Sequence, residues 1–149
     1  MKERKAAQEK AVKLFSDGFN CAQSVLSATL EHWNCKNELV PKIATAFGAG
    51  IGRCGSVCGA VTGAVMAIGA RFGTNEPSVE KRLKAYQLAQ TFYRRFERKH
   101  GSVLCRELIG YNLSVPEELE KAKKSGVFEE KCPLFVKTAV GYLLAITER

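Results

Sequence analysis

The chain has 149 residues, 46% of them apolar and 26% charged, a composition that supports one folded core and excludes a disordered or collagen-like chain. Its formal net charge is +8 at pH 7, but no zinc-finger spacing or aromatic-interleaved basic motif accompanies it, so no nucleic-acid partner is expected. No apolar stretch reaches the roughly 20 residues of a membrane span, and the N-terminal MKERKAAQEK lacks the apolar segment of a signal peptide, so the sequence predicts a cytoplasmic protein without membrane insertion.

Residues 3–16 pattern as an amphipathic helix, with Ala7, Ala11, Leu14 and Phe15 on one side and Asp17-Gly18 as its stop. Asn20 is a good N-cap for a second helix from Cys21 to about Trp33, with Ala22, Leu26, Thr29 and Leu30 on one face. A polar connection, Asn34 to Glu38, holds Cys35, and Pro41 starts a third helix running to about Phe47. Phe47 to Val57 is a glycine-punctuated turn with Cys54 inside it, because glycine at that density marks backbone that bends tightly. Cys58 to Ala70 has no charge and one hydroxyl, Thr62, and reads as a helix buried on all sides. Gly59 and Gly63, four apart, let a second helix come close.

Thr74 to Pro77 is a loop, and Ser78 caps the longest helix, Val79 to about Lys99, with a stripe of Leu83, Tyr86, Ala89, Phe92, Tyr93 and Phe96. Residues 79–100 carry seven basic side chains against Glu80 and Glu97, which is either a solvated basic face or a surface for an acidic partner. Ser102 caps a short helix with Cys105 in its first turn, ended by Gly110. Another helix starts at Pro116 and fades by Gly126. Cys132 precedes Pro133, a favoured first helical residue, so Cys132 is placed at the cap of a final helix that carries Phe135, Val136, Ala139, Val140, Leu143, Leu144 and Ile146. No strand, repeat or linker is evident. The expected fold is all-α: one domain, residues 1–149, a single bundle of five to seven helices around the buried Gly/Ala-rich helix.

The six cysteines need an explanation, because thiols in a reducing compartment stay free unless they do redox or metal work. Cys21, Cys58, Cys105 and Cys132 each read as standing at a helix start, where free amides and about half a positive charge favour thiolate. Converging helix ends would suit an anionic sulfur centre, either a metal cluster or a reversible disulfide. Cys58 has the clearest case for a depressed pKa. Cys35 reads as an incidental loop thiol, and Cys54-Gly-Ser-Val-Cys58 is neither a thioredoxin-type pair nor a zinc pair. His32 and His100 belong to no metal-binding pair, and GxSxG, Walker, HExxH and CxxCH motifs are absent.

Four segments carry a resemblance across nearly the whole chain: Gly18-Phe19-Asn20-Cys21-Ala22-Gln23, Cys58-Gly59-Ala60-Val61-Thr62-Gly63, Cys105-Arg106-Glu107-Leu108 and Cys132-Pro133. In their order and spacing the chain resembles the C_GCAxxG_C_C family of redox-active proteins. The resemblance implies that Cys21, Cys58, Cys105 and Cys132 are the family cysteines, catalytic or metal-ligating, with Gly59, Ala60 and Gly63 lying against a bound group. Split-Soret cytochromes look distantly similar; without the haem motif, only an iron–sulfur centre would carry over from them.

The expected function is that of a small redox or electron-transfer protein with a redox partner protein. Its four thiols would hold an iron–sulfur cluster or cycle between dithiol and disulfide. The rival readings are a structural Cys₄ zinc protein and a non-catalytic helical binding module with a basic face. A homodimer is expected, because the basic long helix and broad apolar last helix leave more surface than one small bundle covers.

Overall fold

The structure, a computed structural model, describes residues 1–148. The architecture is all-α. In chain order the helices are α1 (Lys2–Ser16), α2 (Cys21–His32), α3 (Gly48–Ile51), α4 (Gly59–Phe72), α5 (Val79–His100), α6 (Cys105–Ile109), α7 (Pro116–Ser125) and α8 (Val127–Thr147). The segment opened by Pro41 is a short 3₁₀ helix, Lys42–Phe47, rather than an α-helix. The described residues hold eight α-helices, in line with a bundle of about five to seven plus α3, a single abnormal turn that a glycine count does not reveal as helical.

α2 and α8 form the middle of the bundle. α2 packs on α4, α1 and α8, and α8 also takes α5 on its flank. Ala7 and Ala11 give α1 a smooth buried side. Its Gln8 Nε2 donates to the Lys137 carbonyl of α8 at 2.9 Å. At the far end Glu148 Oε1 accepts from Trp33 Nε1 at 3.2 Å and lies 2.7 Å from His32 Nε2. That cluster joins the end of α2 to the end of α8.

Three sequence expectations change. First, α4 is not buried on all sides. Ala60, Val61, Ala64, Ala67 and Ile68 are in the core, but Val65, Gly69 and Ala70 face solvent, Val65 with 38% of its surface exposed. A helix built from Gly and Ala buries little area per residue, so leaving one face open costs little, and Thr62 is the one polar residue that marks that face in the sequence. Second, the apolar stripe of α5 is only partly used: Phe92 and Phe96 are buried, while Leu83, Tyr86 and Tyr93 are exposed. Third, Cys132 is not a cap. Gly126 adopts the left-handed conformation (φ 79°) that ends α7, and α8 begins at once with Val127, leaving Cys132 and Pro133 inside it. Pro133 cannot donate to the carbonyl of Glu129, four residues earlier. Glu129 is exposed, so water reaches that carbonyl, and Glu129 and Glu130 in the first turn suit the helix dipole.

The glycine-rich stretch before α4 contains the least ordinary backbone. Ala49, Gly50, Ile51, Gly52 and Arg53 have φ of 57°, 69°, 65°, 55° and 68°, a full turn of left-handed helix. That conformation costs L-residues about 1–2 kcal/mol each. The alternating glycines spare the turn part of that cost, while Ala49, Ile51 and Arg53 bear it.

Candidate functional site

The left-handed turn leads into the one piece of extended pairing that builds the site. Val57 and Leu104 form an isolated antiparallel bridge. Cys58 N–H donates to the Val103 carbonyl at 2.8 Å, and Cys105 N–H donates to the Ser56 carbonyl at 2.7 Å. Side chains two apart on a strand share a face, so Cys58 and Cys105 project on the same side of this bridge, each where a helix begins: Cys58 at the N-cap of α4, Cys105 at the first position of α6. The expected cap for α6, Ser102, instead accepts from Leu104 N–H at 3.0 Å and shapes the bridge strand. Gly50 makes the approach possible, because a Cβ there would lie 2.6 Å from Ser56 N and 2.8 Å from Cys105 Cβ.

Cys21 arrives from the other side. Asn20 and Gln23 form a reciprocal capping box at the start of α2, with Gln23 N–H to Asn20 Oδ1 at 2.9 Å and Asn20 N–H to Gln23 Oε1 at 3.0 Å. Asn20 Nδ2 also donates to the Thr45 carbonyl at 2.9 Å, anchoring this corner to the 3₁₀ segment. A Cβ on Gly59 would come within 2.9 Å of Ala22 N and 3.2 Å of Cys21 Cβ. Gly59 therefore allows the starts of α2 and α4, and with them Cys21 and Cys58, to pack side by side. Gly63, one turn on, continues this contact against the Ala22 carbonyl.

Cys21, Cys58, Cys105 and Cys132 line one cavity of about 150 Å³. Its remaining wall is mostly apolar, with Phe15, Leu108, Phe128 and Phe135 among the lining side chains, and no charged residue takes part. Of the three CGAxxG positions, Gly59 lines the cavity, whereas Ala60 and Gly63 belong to the surrounding packing. Cys35, half-buried near the Trp33 carbonyl, and Cys54, exposed, lie outside it. All six thiols are free.

Burial dominates two of the four. It pushes the Cys58 thiol up to about 12, against the pull of the Ala60 and Val61 N–H groups at the start of α4. It pushes Cys105 up to about 11, with the neighbouring Cys132 adding to the effect. The expectation of an activated Cys58 is thus overturned: the helix end acts with the predicted sign, but desolvation outweighs it. Activation falls on the member that is not at a helix start. Cys21 and Cys132 shift in opposite directions: the neighbouring Cys132 sulfur, together with burial, raises Cys21 well above the ordinary thiol range, and Cys21 holds Cys132 below that range despite burial and the nearby Glu129. The pair is asymmetric: Cys21 keeps its proton more tightly than Cys132.

An all-thiol donor set matches an iron–sulfur or zinc centre in kind. Among the described residues, however, no three His, Cys, Asp or Glu side chains are grouped so as to hold a metal ion. The sulfurs surround the cavity without forming a preassembled metal site. The bridge and the aromatic wall are what sequence reasoning missed. Residues 56–58 and 103–105 are too short to show strand alternation, and Phe128 sits in the short stretch between Gly126 and Cys132, to which the sequence reading assigns no element.

A family model described as "Putative redox-active protein (C_GCAxxG_C_C)" matches residues 19–146. No curated protein and no solved structure matches the chain.

Proposed function

Because the chain belongs to the C_GCAxxG_C_C family, we propose that the four-thiol cavity is its redox centre and that Cys132 and Cys21 are the working pair, cycling between dithiol and disulfide. The observation that carries this reading is that both thiols line one cavity with opposed acidities, Cys132 lowered and Cys21 raised by the other's presence, which suits one as nucleophile and the other as proton donor. In the forward step the Cys132 thiolate attacks one sulfur of a partner protein's disulfide. A Cys132–partner mixed disulfide forms and the partner's second sulfur leaves as thiolate. Cys21 then attacks the Cys132 sulfur, its proton passing to the departing partner sulfur. The products are a Cys21–Cys132 disulfide and a partner thiol and thiolate; two electrons and one proton pass to the partner, and solvent supplies the proton that completes its dithiol. Cys58 and Cys105, held neutral by burial, do not compete as nucleophiles. A reducing compartment such as the cytoplasm would return the pair to the dithiol. No helix among the described residues is long and apolar enough to cross a membrane.

The test is redox titration in thiol–disulfide buffers, followed by alkylation and peptide mapping. The expected product is one disulfide, Cys21–Cys132, lost in Cys132→Ser and retained in Cys35→Ser and Cys54→Ser. A disulfide that forms elsewhere, or none at all, overturns the proposal.

The convergence of four sulfurs favours a second reading, an iron–sulfur cluster held by the same four residues. It would supply one-electron transfer, and it requires the sulfurs to draw inward from their present positions. Visible absorption after anaerobic purification, lost together with iron in each of the four Cys→Ser variants, would establish it.

A further inference from the structure

A second site lies on the opposite character of surface. Near the C-terminal end of α5, Arg95, Arg98 and Lys99 meet Tyr142 of α8 around an open groove of about 360 Å³. No carboxylate lines it, and none of the ion pairs among the described residues involves these three cations. Other surface grooves of this chain are lined by compensating charges: Glu31, Lys36 and Glu38 share one, and Glu3, Lys10, Glu31 and His32 another. Three like charges placed together without a counter-ion repel one another, and the usual surface solution is an interleaved acid. α5 does the reverse here: residues 94–99 read Arg-Arg-Phe-Glu-Arg-Lys, and Glu97 is not among the groove's lining residues.

The groove is also held in shape. Phe96, between the cations in sequence, is buried and packs on Phe135 of α8 at a centroid separation of 6.3 Å. His100 Nε2 lies 3.1 Å from Thr138 Oγ1, one turn before Tyr142 on α8. Arg95 and Tyr142 are themselves half-buried. The packing of the two helices therefore fixes the backbone positions from which the cations and the phenol extend, although Arg98 and Lys99 themselves are exposed.

We propose that this groove binds a phosphate-type anion, with the Arg95 and Arg98 guanidinium groups as forked donors, Lys99 as a point charge and the Tyr142 hydroxyl as a neutral donor. Guanidinium forks match the paired oxygens of a phosphate. The surplus positive charge along α5 attracts the anion before contact. The site is separate from the thiol cavity and does not depend on the redox reading. The anion is either free or the phosphate of a nucleotide.

Calorimetric titration at low ionic strength tests it, with pyrophosphate as the probe and ADP in a parallel series. Binding of pyrophosphate is expected, and Arg95→Ala or Arg98→Ala should weaken it by about tenfold or more. The double variant Lys81→Ala/Arg82→Ala removes two charges, twice that of either groove variant, from the other end of the same helix and should leave affinity within about twofold. Circular dichroism confirms that each variant is folded. ADP binding at least as tightly as pyrophosphate assigns the phosphate to a nucleotide; pyrophosphate binding with ADP excluded assigns a free anion. No measurable pyrophosphate binding, or equal losses in the groove and control variants, overturns the proposal.

Discussion

At Cys58 two forces act on one sulfur, and their relative size decides what the residue does. Amide groups at a helix start stabilise a thiolate, but the desolvation of a buried sulfur is larger, and its pKa rises to about 12. This has a consequence for stability in the reduced protein. Unfolded, the thiol ionises near its ordinary value of 9.0; folded, it keeps its proton. Through the interval between, the unfolded state has lost a proton that the native state retains, so stability falls as pH rises from about 9 towards 12 and is unaffected well below 9. Cys105, raised to about 11, adds to the same slope. Thermal melts of reduced protein from about pH 7 to pH 10.5 should show a decline in Tm that is shallower in Cys58→Ala. Parallel curves for the two proteins would show that Cys58 is not held neutral by burial.

At the level of elements, the site depends on backbone contacts as much as on sulfur. A Cβ on Gly63 would meet the Ala22 carbonyl at 2.6 Å, and backbone cannot move aside as a flexible side chain can. Gly63→Leu should therefore destabilise by about 1–3 kcal/mol or more, read as a lower urea midpoint; an unchanged midpoint would mean the face is open. The left-handed turn gives a prediction of opposite sign. Ile51, β-branched and exposed at φ 65°, loses little packing on replacement, so Ile51→Gly should stabilise by up to about 1 kcal/mol through relief of the strained φ. A destabilised Ile51→Gly would show that Ile51 packing matters more than its backbone strain. Much of this level was legible in the sequence. The cap at Asn20, the stops at Gly101 and Gly126, and the close approach at Gly59 and Gly63 are all local chemistry, and all are present. Cys132 was misplaced because proline's preference for a first turn is a local rule, and here Gly126 lets α8 start directly from the end of α7. The pairing of residues 56–58 with 103–105 joins segments over 40 residues apart, and no local pattern encodes it. The side of α4 that faces water was illegible for another reason: alanine and glycine read alike on every face.

For the whole molecule, the net charge of +8 and the unused apolar surface bear on assembly. Val79, Leu83, Tyr86 and Tyr93 are exposed along α5, but that helix carries a surplus of five positive charges, so two copies brought together there would repel. Leu39 and Ile43, both exposed, line a largely apolar groove of about 460 Å³ with Met66 and Ala70, where Lys36 is the one charge, and this is the face through which we expect a homodimer. Light scattering at micromolar concentration should give twice the chain mass, reduced to the monomer in Ile43→Glu; a monomeric wild type would count against the dimer. The Cys21 and Cys132 pair has a different reach. Cys21 and Cys132 stand about 110 residues apart in sequence, so a bond between them would tie most of the unfolded chain into one ring and remove conformational freedom worth about 5 kcal/mol by chain entropy alone. In a protein of this size that corresponds to a rise in Tm on the order of ten degrees on oxidation. If the pair cycles as proposed, its electron count would be written into the lifetime of the fold: the oxidised chain would resist proteases that the reduced chain admits, and its abundance would record how oxidising its surroundings have been.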